Sequence, residues 1–460
     1  MKLPRILLAA GSSGSGKTLI TCGLLQALCD RGMAPASFKC GPDYIDPMFH
    51  SKVIGAKSRN LDTFFTSPKL TRYLLCRNAA DSKIAVMEGV MGYYDGLGGD
   101  TVRASAYDLA RVTDTPVILI VNSKGMSVSL AAYIKGFLEY RPDSRIKGVI
   151  FNQMSAMLYP RMKKLVEEEL GISVLGYVPK VEDCVIESRH LGLVLPEEID
   201  GLRERLKKLA AVLEKTLDME GILRLAAEAP EILEEEAPDD KAFAFSLPEE
   251  VRIGVADDEA FCFFYEDNFR LLEKMGAKLV RFSPIHDKAL PENLDGLLLY
   301  GGYPELYGKQ LEENVQMRQE IFAAIEGGLP CMAECGGFMY LHESMEDMDG
   351  VIRRMTGNIR GKVWRTPRLT RFGYISLTGK KEAFGKMLDG EIPAHEFHYF
   401  DSDSCGESFH AQKPGSARGW ECIHASDSLM AGFPHLYYYG APQVPAAFLE
   451  KCLRYKKGKR

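Results

Sequence analysis

The segment Gly11-Ser12-Ser13-Gly14-Ser15-Gly16-Lys17-Thr18 follows directly on the apolar run Arg5-Ile6-Leu7-Leu8-Ala9-Ala10 and constrains this chain more than any other stretch. It satisfies the pattern Gly-x-x-x-x-Gly-Lys-Thr in full. Glycines there let backbone N–H groups wrap phosphate oxygens, and the helix that follows turns its positive end toward them. A strand must enter such a loop and a helix must leave it, which commits the front of the chain to an α/β layout. Gly11, Ser13, Gly14 and Gly16 form the candidate wrap for ATP, Lys17 reaches its terminal phosphates, and the Thr18 hydroxyl is placed to bind Mg²⁺.

The surrounding pattern agrees. Apolar runs at Ile6–Ala10, Ala36–Lys39, Ile84–Glu88, Val117–Val121, Gly148–Phe151 and Val174–Val178 read as strands, several without alternation, as in a parallel sheet buried on both faces. Helical stretches such as Thr18–Asp30 and Pro160–Leu170 separate them, giving a doubly wound domain over residues 1–195. Residues 196–250 read as a linker: helical periodicity over Ile199–Leu217, then an acidic run from Glu228 to Asp240. A second α/β unit begins at Val251–Ala256 and continues with strands at Lys278–Phe282, Gly296–Tyr300 and Pro330–Ala333; beyond Arg353 the chain is turn-rich and β-rich to about Gly440. This second domain is set at 251–442, leaving 443–460 as a basic C-terminal tail, whose last residues, Arg454–Arg460, read as solvated and disordered.

With 460 residues, one core is too few and two or three domains are expected. A net charge of -6 offers no footprint for nucleic acid. No apolar run approaches the roughly 20 residues of a membrane span, and the N-terminus enters a strand, so it does not read as a cleaved signal. The 11 cysteines are scattered with no Cys-x-x-Cys pair, which points to neither a disulfide framework nor a zinc site and sets the expected compartment as cytoplasmic.

Two acidic clusters stand where doubly wound sheets place ligands. Asp43-Tyr44-Ile45-Asp46 lies beyond the second strand, in Lys39-Cys40-Gly41-Pro42-Asp43-Tyr44-Ile45-Asp46-Pro47. Glu88 ends the third strand read from the sequence, with Asp95 a few residues on. A carboxylate at a strand end opposite a phosphate loop is placed to hold Mg²⁺, which makes Thr18, Asp46 and Glu88 the candidate metal set. Asn152, after Gly148–Phe151, is a candidate contact for the adenine, or a turn former. ATPases that partition DNA or position division septa carry a lysine near the start of the loop; Ser12 stands there instead, which favours a metabolic enzyme over a regulatory ATPase.

The second domain carries Ala333-Glu334-Cys335-Gly336-Gly337 between a buried strand and a helix starting near Phe338. Such a turn exposes a nucleophile and aims following backbone N–H groups at an oxyanion, and the helix N-terminus is expected to lower the thiol pKa. Gly336 and Gly302, the latter in Gly301-Gly302-Tyr303-Pro304-Glu305, are the candidate oxyanion donors. A cysteine nucleophile needs a base. Spacing leaves three histidines open for it: His435, His395 and His398, the last two also readable as metal ligands.

These residues resemble the cobyrinic acid a,c-diamide synthase family. The resemblance is carried by the phosphate loop, Gly41-Pro42-Asp43-Tyr44-Ile45-Asp46-Pro47, Glu88-Gly89, Ala333-Glu334-Cys335-Gly336-Gly337 and Ala394-His395-Glu396-Phe397-His398-Tyr399, and it spans essentially the whole chain. It implies a dethiobiotin-synthetase-like ATP domain followed by a class I-like glutaminase domain. It also implies amidation of the a and c acetates of a cobalt-corrinoid acid with two glutamines and two ATP. In that family Cys335 would be the nucleophile and His435 its activator, while Asp43, Tyr44, Ile45, Asp46, Glu88 and Asp95 would fall in the corrinoid, Mg²⁺ and phosphate-transfer region. Its partners would be small molecules, with a homodimer left open. Sister amidases acting on hydrogenobyrinic acid or nickel-sirohydrochlorin share the architecture. Two departures from the wider class I pattern stand out: Ala333 two before the cysteine, where Gly is usual, and Tyr437 two after His435, where the triad has Glu.

Overall fold

The computed structural model describes residues 1–181, 184, 188–189, 192–193, 199, 201–232 and 243–459, and it separates into two compact units, Met1–Ala237 and Pro238–Arg460. The position read as the end of the first domain, 195, and the acidic run from 233 to 240 lie outside the described residues.

In the first unit, β1 (Arg5–Ala10), β2 (Pro35–Cys40), β3 (Lys57–Leu61), β4 (Ile84–Glu88), β5 (Val117–Asn122), β6 (Ile146–Asn152) and β7 (Ser173–Val178) form one parallel sheet. The strand order is β3-β2-β4-β1-β5-β6-β7. Order reverses on either side of β1, so the ends of β1, β2 and β4 open onto a common crevice at the switch point. The register Arg5↔Ala85 to Leu8↔Glu88, with Lys39↔Glu88 on the far side, brings Glu88 level with Lys39 and with the start of the loop. β3 has the sequence Lys-Ser-Arg-Asn-Leu, at the sheet edge, and escaped the sequence reading because it has no apolar run. Inside the sheet Ile6, Leu7, Leu8, Val86, Met87, Ile118 and Ile120 are fully buried.

The helices Leu202–Thr216 and Met219–Ala227 correct the linker reading, since they belong to the first unit. Helix α1 (Lys17–Asp30) packs against the first of them so closely that a Cβ on Gly23 would meet Leu213 Cδ1 at 2.7 Å and Leu209 Cγ at 2.8 Å. Arg31 adds ion pairs to Glu214 and Glu220.

The second unit is built on a six-stranded sheet ordered Ala277–Phe282, Val251–Ala256, Gly296–Leu299, Cys331–Glu334, Leu429–Gly432, His424–Ala425, parallel except at the last pairing. A five-stranded antiparallel sheet adds Gly419–Cys422, Phe409–Gln412, Arg371–Gly379, Glu391–His398 and His435–Leu436. The C-terminal tail is also corrected. Gln443–Gly458 is a helix whose Val444, Phe448, Leu449 and Cys452 are fully buried, and Lys456 and Lys459 donate to the Glu250 and Leu294 carbonyls. Its apolar residues recur at spacings of three and four, which buries one stripe while the basic side chains stay outside.

Candidate active sites

The phosphate loop has the expected strand before and helix after. Gly14 and Gly16 hold φ of 74° and 91°, conformations that favour glycine. Ser13 and Gly14 are exposed, and a Cβ on Gly14 would meet nothing within 4 Å, so this arc is open to a ligand. At Gly11 a Cβ would lie 1.7 Å from the Tyr133 hydroxyl. Lys17 Nζ lies across the loop and donates to the Ser12 carbonyl at 3.0 Å and the Met91 carbonyl at 2.6 Å. Burial, with Lys39 nearby, lowers its pKa to about 8, so the ammonium is poised to gain from an arriving phosphate anion.

Behind the loop the candidate metal residues meet. Thr18 Oγ1 donates to Glu88 Oε1 at 2.6 Å and Asp46 Oδ2 at 3.2 Å. Lys39 Nζ joins the same two carboxylates, at 2.5 Å from Asp46 and 2.9 Å from Glu88. His50 Nε2 lies 3.2 Å from Glu88 Oε2, and its Nδ1 shares a hydrogen bond of 2.7 Å with Ser37. Burial alone would raise the Glu88 carboxyl, but Lys39 and His50 hold it well below the usual range. For Asp46, burial and the neighbouring Asp43 push the other way. The carboxylates of Asp46, Glu88 and Asp43 keep Lys39 charged despite its burial. Two carboxylates and one hydroxyl fit Mg²⁺, an ion that keeps waters and completes its shell with phosphate oxygens. Lys39 stands in the sequence only as part of the Lys39–Pro47 motif and His50 has no local signal, because their alignment depends on register.

The other predicted residues divide. Asp43 caps the short helix Ile45–Met48, accepting from the N–H groups of Ile45 and Asp46, and Tyr44 beside it is half-buried. Ile45 is buried at 5% exposure, and Asp46 accepts from the Thr18 hydroxyl. Asp95 is exposed and accepts from the Gly92 N–H at 2.9 Å. Asn152 Nδ2 donates to the Ser15 carbonyl at 2.8 Å, and a Cβ on Gly16 would strike it at 2.3 Å. It braces the loop. A cavity of about 580 Å³ opens beside Gly11, walled by Tyr94, Tyr133, Phe137 and Tyr140 with Asp95 and Arg141 at its polar margin.

In the second unit Cys335 has φ 46° and ψ -105°, left-handed geometry that a non-glycine residue adopts at a cost of order 1–3 kcal/mol and that recurs at nucleophile turns. The turn is held by Cys335 N–H donating to the Gly432 carbonyl at 2.8 Å. Glycine is required behind it, since a Cβ on Gly337 would lie 2.0 Å from the Leu299 carbonyl oxygen. The helix starts at Gly336 and runs only to Tyr340, and the expected lowering of the thiol is corrected. Burial pushes Cys335 up, Glu305 and Glu396 add to it, and the Gly336 N–H hydrogen bond opposes them. Gly302 and Gly336 do come together: a Cβ on Gly336 would lie 3.1 Å from the Gly302 nitrogen, while one on Gly302 would strike the Ala260 carbonyl oxygen at 2.1 Å.

The three histidines separate. A Cβ on Gly301 would meet His435 Cε1 at 2.5 Å and Cys335 Cβ at 3.5 Å, so His435 and the nucleophile flank one glycine. His395 is its cross-strand neighbour. His398 stacks on Phe433 with ring centroids 3.9 Å apart and bonds the Phe400 carbonyl and Glu396. Among the described residues no cluster of three or more His, Cys, Asp or Glu side chains is placed to hold a metal ion. Tyr437 directs its hydroxyl to Asp267 at 3.0 Å. Burial lowers His435 to about 3, so its ring is neutral at physiological pH.

Comparison with known proteins agrees with both halves. Residues 6–193 match the CobQ/CobB/MinD/ParA nucleotide binding domain, and residues 252–438 match the CobB/CobQ-like glutamine amidotransferase domain. The cobyrinate a,c-diamide synthase of Priestia megaterium is 37% identical over 460 residues, covering 99% of this chain and 98% of the relative. That of Caldanaerobacter subterraneus is 37% identical over 456 residues, covering 97% and 98%, and that of Salmonella typhimurium 40% over 398, covering 86% and 85%. A nucleotide-binding α/β unit and a cysteine-elbow unit on one chain define a glutamine-amidotransferase ligase. Within that class, the chain belongs to the cobyrinate a,c-diamide synthase family. No helix among the described residues is long and apolar enough to cross a membrane.

Proposed function

We propose that this protein amidates the a and c acetate carboxylates of cobyrinic acid, consuming two glutamines and two ATP. The observation that carries this reading is the Cys335 turn, strained to φ 46° with the Gly336 N–H on its sulfur, on a chain that also bears a complete phosphate loop. Cys335 attacks the glutamine amide carbon while its thiol proton passes to His435. The C–N bond breaks, that proton leaves with ammonia, and water clears the glutamyl thioester. Gly302 and Gly336 N–H groups receive the oxyanion.

In the first unit a substrate carboxylate oxygen attacks the γ-phosphorus of ATP, and ADP departs. Lys17 neutralises the charge that develops. Thr18, Glu88 and Asp46 would hold Mg²⁺, which would supply positive charge against the phosphates. Ammonia then attacks the acyl carbon and phosphate leaves. Asp43, Tyr44 and Asp95 face the carboxylate acceptor in this reading. The aromatic cavity beside Gly11, with Arg141 at its margin, suits a large conjugated ring bearing carboxylate arms.

The test is mass spectrometry of products from cobyrinic acid, hydrogenobyrinic acid and nickel-sirohydrochlorin, each offered with ATP, Mg²⁺ and glutamine. A diamide from cobyrinic acid is expected; a diamide only from another ring would reassign the substrate.

A further inference from the structure

Glu334, immediately before the nucleophile, ends the strand Cys331–Glu334 and is 5% exposed. Pairing Glu334↔Gly432 sets it beside the segment that turns into His435. Its Oε2 accepts from the Leu436 N–H at 3.4 Å and lies 3.8 Å from His435 Nδ1, while its Oε1 has no hydrogen-bond partner in the structure. A carboxyl left this way in a buried site costs free energy that packing alone does not require, and such groups concentrate at functional sites. The position that supplies the carboxylate in the usual triad is held by Tyr437, whose hydroxyl is engaged by Asp267. Asn268 ties down the same segment by donating to the Leu436 carbonyl at 2.9 Å and accepting from the Tyr438 N–H at 2.8 Å, so the backbone that carries the imidazole is hydrogen-bonded on both sides of Tyr437.

We propose that Glu334 is the positioning residue for His435, so that the third member of the Cys335–His435 site comes from the nucleophile's own strand. This rests on the glutaminase reading given above. As the thiol proton moves from Cys335 to Nε2 of His435, Nδ1–H donates to the Glu334 carboxylate, which orients the ring and stabilises the imidazolium. When ammonia departs with the Nε2 proton, the ring returns to neutral. Burial pushes the Glu334 carboxyl up to about 8, so its ionised share grows across the neutral range. The titratable groups facing it are His435, Cys335 and the phenols of Tyr300 and Tyr438, which are hydrogen-bonded to each other at 3.0 Å.

The test compares Glu334→Gln and Glu334→Asp in the full chain, with thermal melting confirming that both remain folded. Gln matches the neutral buried form in shape, and Asp keeps the carboxyl one methylene short. The expected result for Glu334→Gln is a kcat for glutamine hydrolysis lowered at least about tenfold with KM little changed, and loss of the rise in kcat between about pH 6 and about pH 9. Glu334→Asp is expected to keep that rise at a reduced rate. A Glu334→Gln enzyme with wild-type kcat would overturn the proposal, as would a slow one whose pH profile still parallels the wild type. Glutamine hydrolysis surviving Cys335→Ala would remove the glutaminase reading itself, a result separate from either.

Discussion

His395 and His435 stand directly opposite each other on neighbouring antiparallel strands, their rings stacked at 4.9 Å with planes 19° apart. Two of the three side chains that sequence spacing offers as rival bases are therefore a packed pair, and His435 also borders Cys335 across Gly301. His435→Ala should lower glutamine hydrolysis about 10³-fold while ammonia-supported amidation continues. His395→Phe, which keeps a flat ring against His435, should cost less than about tenfold. Ammonia release measured for both variants decides the assignment; equal losses would show that His395 shares the chemistry.

In the first unit the two lysines have different roles. Lys17→Ala should abolish ATP-dependent amide synthesis and leave glutamine hydrolysis measurable, because Lys17 belongs to the phosphate loop of the first unit, where it donates to the Ser12 and Met91 carbonyls. Lys39→Met instead leaves Asp46 and Glu88 buried without their shared cation, and removal of one partner from a buried charge cluster costs about 3–5 kcal/mol. Urea unfolding should show that loss for Lys39→Met and almost none for Lys17→Ala.

Acid should weaken the second unit first. Burial lowers His435 to about 3 and His342 to about 4, and His395 lies well below its ordinary value for the same reason, with His435 adding to it. These rings stay neutral when folded but bind protons when unfolded below about 6.5, so the unfolded state gains protons as pH falls. The histidine contribution is complete above about 6.5 and declines from there toward 3; Glu334, whose raised carboxyl takes up its proton first in the folded chain, offsets part of that loss. At pH 5 each ring contributes a loss of about 2 kcal/mol. Thermal melts across that range should show the decline; a flat melting temperature would mean these histidines are protonated in the folded chain.

Gly337→Ala tests the packing behind the nucleophile. The added methyl would lie 2.0 Å from the Leu299 oxygen, a backbone atom that cannot rotate away. Overpacking of this kind costs about 3 kcal/mol, visible as a lower urea midpoint, and should depress glutamine hydrolysis as the turn shifts.

The alternation of apolar runs and helices, the phosphate loop and the Cys-Gly-Gly turn were all legible from the chain, because each is a local pattern enforced by backbone geometry. Six strands of the first sheet could be placed; the edge strand Lys57–Leu61 could not, because its polar side chains give no periodic signal. The helical tail escaped for a related reason: its basic residues crowd its last turns, and its buried stripe has meaning only once there is a core to cover.

The sites divide the same way. Sequence by itself picked out the candidate reacting groups, Lys17, Thr18 and Cys335, since each belongs to a short motif whose chemistry calls for that residue. Tertiary structure decided what surrounds them. The register of β2 against β4 puts Lys39 between Asp46 and Glu88, and Gly16 packing makes Asn152 a brace of the loop. Pairing of Glu334 with Gly432 carries His435, far away in sequence, to the nucleophile and leaves Glu334 beside its ring. Strand register is set by burial over the whole sheet, so no local window of the chain contains it.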